Sequence, residues 1–136
     1  MAVTVWVDDW QMQCCGGNFA VGEVVSWNLM PVDPADYADV VGGARASEID
    51  FREDHHLEAE DGVTTALQVL EISEVHCRYE VPAGSAGNVY HPVPGTAVLV
   101  PVVEADGWAE ARPAVRFTGY LVTARHAGRR GRVERE

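Results

Sequence analysis

Near its start the chain alternates between apolar and polar positions. In "VTVWVDDW", Val3, Val5 and Val7 fall on one face of an extended backbone, which predicts a half-buried strand. In "NFAVGEVVSWNLM", Phe19 and Val21 lead into a Gly22-Glu23 turn, after which Val25, Trp27 and Leu29 alternate inward. The period then changes. "VDPADYADVVGG" predicts a helix over 34–41, with Asp33 as its cap, Pro34 at its first position and Asp36 in its first turn. Tyr37, Val40 and Val41 share one face of it, and Gly42-Gly43 is its predicted stop. At about two turns it must lean on the rest of the domain for stability.

Extended signals return with "SEIDFRED", which places Ile49 and Phe51 on one side of a short strand. "TTALQVLEISEVHCRYEVP" reads as one long strand whose apolar phase slips between Ile72 and Val75, predicting a bulge near Ser73. "TAVLVPVVEADGW" is a further strand in which Pro101 argues for an edge or a bulge. "VRFTGYLVTAR" puts Phe117 and Leu121 on one face and Tyr120 and Val122 on the other. From His126 onward no apolar pattern remains, so a single domain over 1–125 and a disordered, arginine-rich tail over 126–136 are expected. Several short strands and one short helix predict a mostly-β fold: a small barrel or strongly bent antiparallel sheet, SH3-like or OB-like.

Charge narrows the range of partners. The 136-residue chain carries a formal net charge of −11. Residues 1–111 hold only three arginines (Arg45, Arg52 and Arg78) against 19 acidic residues, whereas seven arginines lie in 112–136. Such a body repels nucleic acid, whose affinity rests on phosphate contacts, so only the tail offers it a contact. There is no apolar run long enough for a bilayer and no signal-peptide pattern, so a cytoplasmic location and no membrane partner are expected. Three cysteines do not make a secreted disulfide framework, and reduced thiols are expected.

Five landmarks follow one another along the chain: "VWVDDWQMQCCG", "FAVGEVVSW", "DHH", "VHCRY" and "RFTGYLV". Together they resemble a family of small actinobacterial proteins described as a domain of unknown function. The resemblance spans nearly the whole chain and implies a stand-alone bacterial domain. It implies no activity, cofactor or partner.

Candidate chemistry gathers at three doublets: Cys14-Cys15, His55-His56 and His76-Cys77. Neighbouring residues on a strand point to opposite faces, so each doublet can give one side chain to a shared site. Cys15 is favoured because Gly16-Gly17 lets the backbone approach a ligand; His56 because Leu57 beside it draws it inward; Cys77 because it shares a face with Val75 and Tyr79. Cys15, His56 and Cys77 would suit zinc and leave a position open for water, as hydrolytic zinc sites do. Against this, compact C-x₂-C or H-x₃-H spacings are absent, and a buried cysteine often serves only as a small apolar residue. A cysteine nucleophile is disfavoured, because an acidic setting raises a thiol's pKa.

Aromatic residues are plentiful. Trp27 belongs to the predicted core, but Trp10 and Trp108 lie beside turn residues, and Tyr90 and His91 lie in the proline-rich "NVYHPVPG" loop. Aromatic anchors dominate binding hot spots. The reading favoured by the sequence is a non-catalytic domain that binds a protein or peptide partner through Trp10, Trp108, Tyr90 and His91. No cofactor is needed, and self-association is compatible with it. The zinc domain, possibly hydrolytic, is the alternative.

Overall fold

The first strand, β1 (Ala2–Asp8), is buried on both faces: Val5, Trp6 and Val7 in succession are at most 1% exposed. A strand enclosed on both sides needs two covers, and the remaining elements supply them. The computed structural model describes residues 2–14, 17–54, 64–81, 83–84, 87 and 89–127. After β1 come α1 (Asp9–Cys14), β2 (Phe19–Ala20), β3 (Val24–Trp27) and β4 (Leu29–Pro31). A 3-10 turn (Pro34–Asp36) leads into α2 (Ala38–Val41), α3 (Gly43–Ala46) and β5 (Phe51–Glu53). The long strand β6 (Thr65–Cys77), β7 (Tyr79–Glu80), β8 (His91–Pro92), β9 (Val98–Val102), β10 (Glu104–Ala105) and β11 (Arg116–His126) complete the order.

The main sheet runs β3-β6-β11-β1-β5-β4, with β9 also on β6. All its pairings are antiparallel except β1 with β5. β3 and β4 stand at opposite ends of this order, yet only Asn28 separates them in the chain. The sheet must therefore curl until its two edges meet. Asn28 extends the β4–β5 pairing: its carbonyl accepts the Asp54 N–H at 3.0 Å, and its side-chain amide donates to the Asp54 carbonyl at 3.3 Å. The expected mostly-β, strongly bent sheet is what forms.

Two irregularities make the bend. Opposite β11, Glu71 pairs with Thr123 and Val69 with Ala124, which leaves Leu70 as an extra residue. The phase slip in β6 thus falls at Leu70, three residues before the predicted Ser73. A second extra residue, Thr118, lies between Phe117 and Gly119 on β11. Inside the curl pack Val5, Val7, Met12, Phe19, Leu67, Val69, Ile72, Tyr120, Val122 and Ala124. On the outer face Trp6, Val75 and Cys77 are covered by Val40, Val41, Ala46 and Ile49. Pro101 lies on β9, a strand at the rim of the sheet, as a proline without an N–H requires.

The helices depart from expectation in two places. Asp33 does cap the turn at Pro34, its carboxylate accepting the Ala35 N–H at 3.0 Å. The predicted helix over 34–41, however, divides into the 3-10 turn and α2; it stops at Gly42 as expected, at φ +93°, and α3 is a further helical turn beyond that stop. Glycine permits that backbone conformation, so the chain turns there and starts a new helical turn. The strand predicted through Trp10 stops at Asp8, and α1 takes over at Asp9 because Met12 then reaches the inner core. At the other end β11 continues through His126, and Ala127 donates to the Ala66 carbonyl at 2.9 Å. The ladder thus outlasts the expected boundary at Arg125; the rest of the predicted tail, 128–136, lies outside the described residues.

Trp6 reaches its outer cover across Gly119. A Cβ at position 119 would sit 2.5 Å from the Val7 carbonyl oxygen and 2.7 Å from the Trp6 ring. Gly119→Ala is therefore expected to destabilise the domain by about 3 kcal/mol, at the upper end of overpacking costs because backbone cannot yield. Gly43→Ala, which meets open space in a helical turn, should leave stability unchanged or raise it. Chemical denaturation of the two variants checks the contrast.

Candidate functional site

α1 is too short to persist alone, so its position depends on what holds it. Gln13 Nε2 donates to the Gly107 carbonyl at 2.8 Å, and the Gly107 N–H donates to the Tyr120 hydroxyl at 3.0 Å. Tyr120 is buried on β11, between Phe117 and Phe19 at ring centroid distances of 5.1 and 6.1 Å. Burial pushes its phenol pKa upward, so it stays a neutral hydroxyl that can accept from Gly107. This latch fixes the segment after β10 against α1. Trp108 follows Gly107 directly, and Trp10 lies on α1; they are 67% and 53% exposed. Two of the four predicted aromatic contacts thus stand on elements bonded to each other.

Tyr90 and His91 are also exposed, but His91 belongs to a separate two-stranded ribbon, β7-β8, which Tyr90 directly precedes. The ribbon and the latch share no strand pairing. Between the latch and β9 lies a feature the sequence reading did not single out. Pro101, Val102, Val103 and Glu104 line an open groove of about 520 Å³ where β9 bends into β10. Val103 is the most exposed large apolar residue described, at 77%, and its carbonyl accepts the Val21 N–H at 2.9 Å. Exposed Val21 therefore lies alongside it. One sequence signal was available: Val102 and Val103 are adjacent, so a strand that buries the first must present the second.

The third doublet divides across the sheet. Cys77 points to the outer face among Trp6, Val41 and Val75. Burial pushes its thiol pKa up, a setting that keeps it protonated. His76 points to the inner side, 1% exposed, with its ring 5.6 Å from Phe117. Its Nε2 lies 3.0 Å from a Glu74 carboxylate oxygen, while its Nδ1 is buried without a hydrogen-bond partner. An ionised carboxylate only accepts, so in the neutral ring Nε2 carries the proton and Nδ1 presents its lone pair. Glu74, two residues earlier on the same strand face, was the legible sign of this pair. Cys14 closes α1; Cys15 and His56 lie outside the described residues. Among the described residues, no group of three His, Cys, Asp or Glu side chains gathers as a metal site would.

A family model described as a family of unknown function, DUF6578, matches residues 1–126. The chain belongs to that family. No curated protein and no solved structure matches it. The DUF6578 match ends where β11 ends, so it covers every element described above. No helix of the described residues is long and apolar enough to cross a membrane.

The latch can be tested apart from any function. Tyr120→Phe leaves the ring packing intact but strips the buried Gly107 N–H of its acceptor. The expected cost is about 1–3 kcal/mol, the usual penalty for an unsatisfied buried donor. Hydrogen exchange at the amide of Gly107 should quicken more than exchange in β6. Unchanged exchange at that amide would show that the hydroxyl does not hold the segment.

Proposed function

We propose that this domain is a non-catalytic recognition module that binds a protein or peptide partner in a bacterial cytoplasm. The observation that supports the reading is the placement of Trp108 and Trp10, large, exposed and on elements pinned by the Tyr120–Gly107–Gln13 bonds. A rigid exposed tryptophan loses little conformational freedom on binding, which is why such residues become anchors. Val103 and Val21 extend the apolar surface from the latch toward β9. Isolated exposed valines are ordinary, but tryptophans at this exposure are not, since their area is costly to leave wet.

A second reading has an observation of its own. The open Nδ1 of His76 is buried lone-pair density, and leaving it unpaired costs about 1–3 kcal/mol. Metal-bound imidazoles commonly donate their other nitrogen to a carboxylate, as Nε2 can donate to Glu74. In a zinc domain, His76 rather than Cys77 would then be the ligand from the third doublet.

For the first reading, Trp108→Ala should shift stability by no more than about 0.5 kcal/mol, as surface substitutions do. A photo-crosslinker placed at Trp10 in living cells should capture a defined protein, and capture should fall at least about tenfold when Trp108→Ala is added, the loss of a hot-spot contact. Equal capture by both chains would remove the tryptophan from the interface. For the second, metal analysis of untagged protein should find zinc that His76→Ala loses and Cys77→Ser retains. Metal-free wild-type protein would end the zinc reading.

A further inference from the structure

The groove where β9 meets β10 combines an apolar lining with carboxylates. Glu104 lines it. Glu71 is next on β6 to Ile72, which pairs with the lining residue Val102. Both carboxylates are exposed, and neither has a hydrogen bond or ion pair among the described residues. Arg125, the arginine at the end of β11, is turned to Gln68 instead, at 2.9 Å. The apolar lining of Pro101, Val102 and Val103 therefore has two exposed carboxylates in its neighbourhood, in a chain of net charge −11. Coulomb attraction at such a rim selects the sign of a partner more than it adds affinity.

Main-chain pairing is a poor route to this site. Pro101 has no N–H, and a proline on an edge strand blunts the addition of another strand. Recognition must then come from side chains entering the groove. We propose that the groove takes a basic-aliphatic segment of a partner protein. A valine, leucine or isoleucine packs on Val102 and Val103, and a neighbouring arginine or lysine meets Glu104 and Glu71. This rests on the partner-binding reading and names the chemistry of the partner. It also accounts for the polarity of the rim: an acidic segment of the same shape would be repelled by both carboxylates.

The test titrates the whole chain with three fluorescein-labelled synthetic peptides of equal length. One alternates valine with arginine, one valine with glutamate and one glycine with arginine. The valine-arginine peptide should bind, and the other two should bind at least about tenfold more weakly. Glu71→Gln combined with Glu104→Gln should weaken the first peptide by about fivefold, the scale of two exposed ion pairs. Val103→Ala, at a side chain exposed enough to leave folding intact, should weaken it as well. Equal binding of the valine-glutamate peptide, or no effect of the double Gln variant, overturns the charge assignment and leaves the partner-binding reading standing. Equal binding of the glycine-arginine peptide reduces the effect to diffuse attraction and also overturns it. If no peptide binds, the groove is not the docking site, while crosslinking at the tryptophan latch reports separately on the wider reading.

Discussion

The burial of β1 on both faces is the constraint from which the rest follows. Val5 and Val7 look into the curled interior and Trp6 looks out, and none of the three touches water. Burying side chains of this size contributes about 1.5–3 kcal/mol each, but only if both sides of the sheet are dry. The chain meets that condition with two unlike covers. On the inside the sheet wraps over itself, helped by Phe19 and Met12. On the outside α2, α3 and Ile49 form a lid, and the Tyr37 ring beside them lies tilted against Trp6, at 5.3 Å.

Curling places its own demands on the strands. A flat antiparallel sheet would hold β3 and β4 far apart, yet a single residue joins them. The extra residues at Leu70 and Thr118 supply the bend, and each also re-aims side chains. The one at Thr118 lets Phe117 and Tyr120, an odd number of positions apart, both pack on the inner side. Gly119 follows it, and its missing side chain lets the Trp6 ring and the Val7 backbone close in. The bend of the sheet and the Tyr120 latch thus rest on the same few residues of β11. What the curl cannot enclose is the bend from β9 to β10, where Val103 and Glu104 turn outward beside the segment carrying Trp108.

The two candidate regions differ in kind. The outer one is a surface of apolar area, with tryptophans held in place and carboxylates at its margin. The recognition we propose rests on that surface. The inner one is a single oriented imidazole on a glutamate, walled by Phe117. Cys77, its neighbour in sequence, is spent in packing on the opposite side of the sheet.

Much of the fold was legible because it depends on short-range periodicity. Alternation identified β1, β3, β6, β9 and β11; Pro101 announced an edge; and the Asp33-Pro34 start of the helical segment followed from local capping chemistry. The candidate aromatics Trp10 and Trp108 were legible too, from the turn residues beside them. What the sequence did not carry was anything set by contacts between distant segments. α1 exists because Met12 finds the inner core and Gln13 finds Gly107, 94 residues away. The bulge settled at Leu70 because register with β11 outweighs the local apolar pattern. Whether His76 or Cys77 faced the interior could not be read from the doublet, since a strand must bury one on each side and only the curl defines which side is inside. The groove at Val103 arises where β9 leaves β6 and β10 turns to β2. It is a junction of four strands, and no stretch of one strand encodes it.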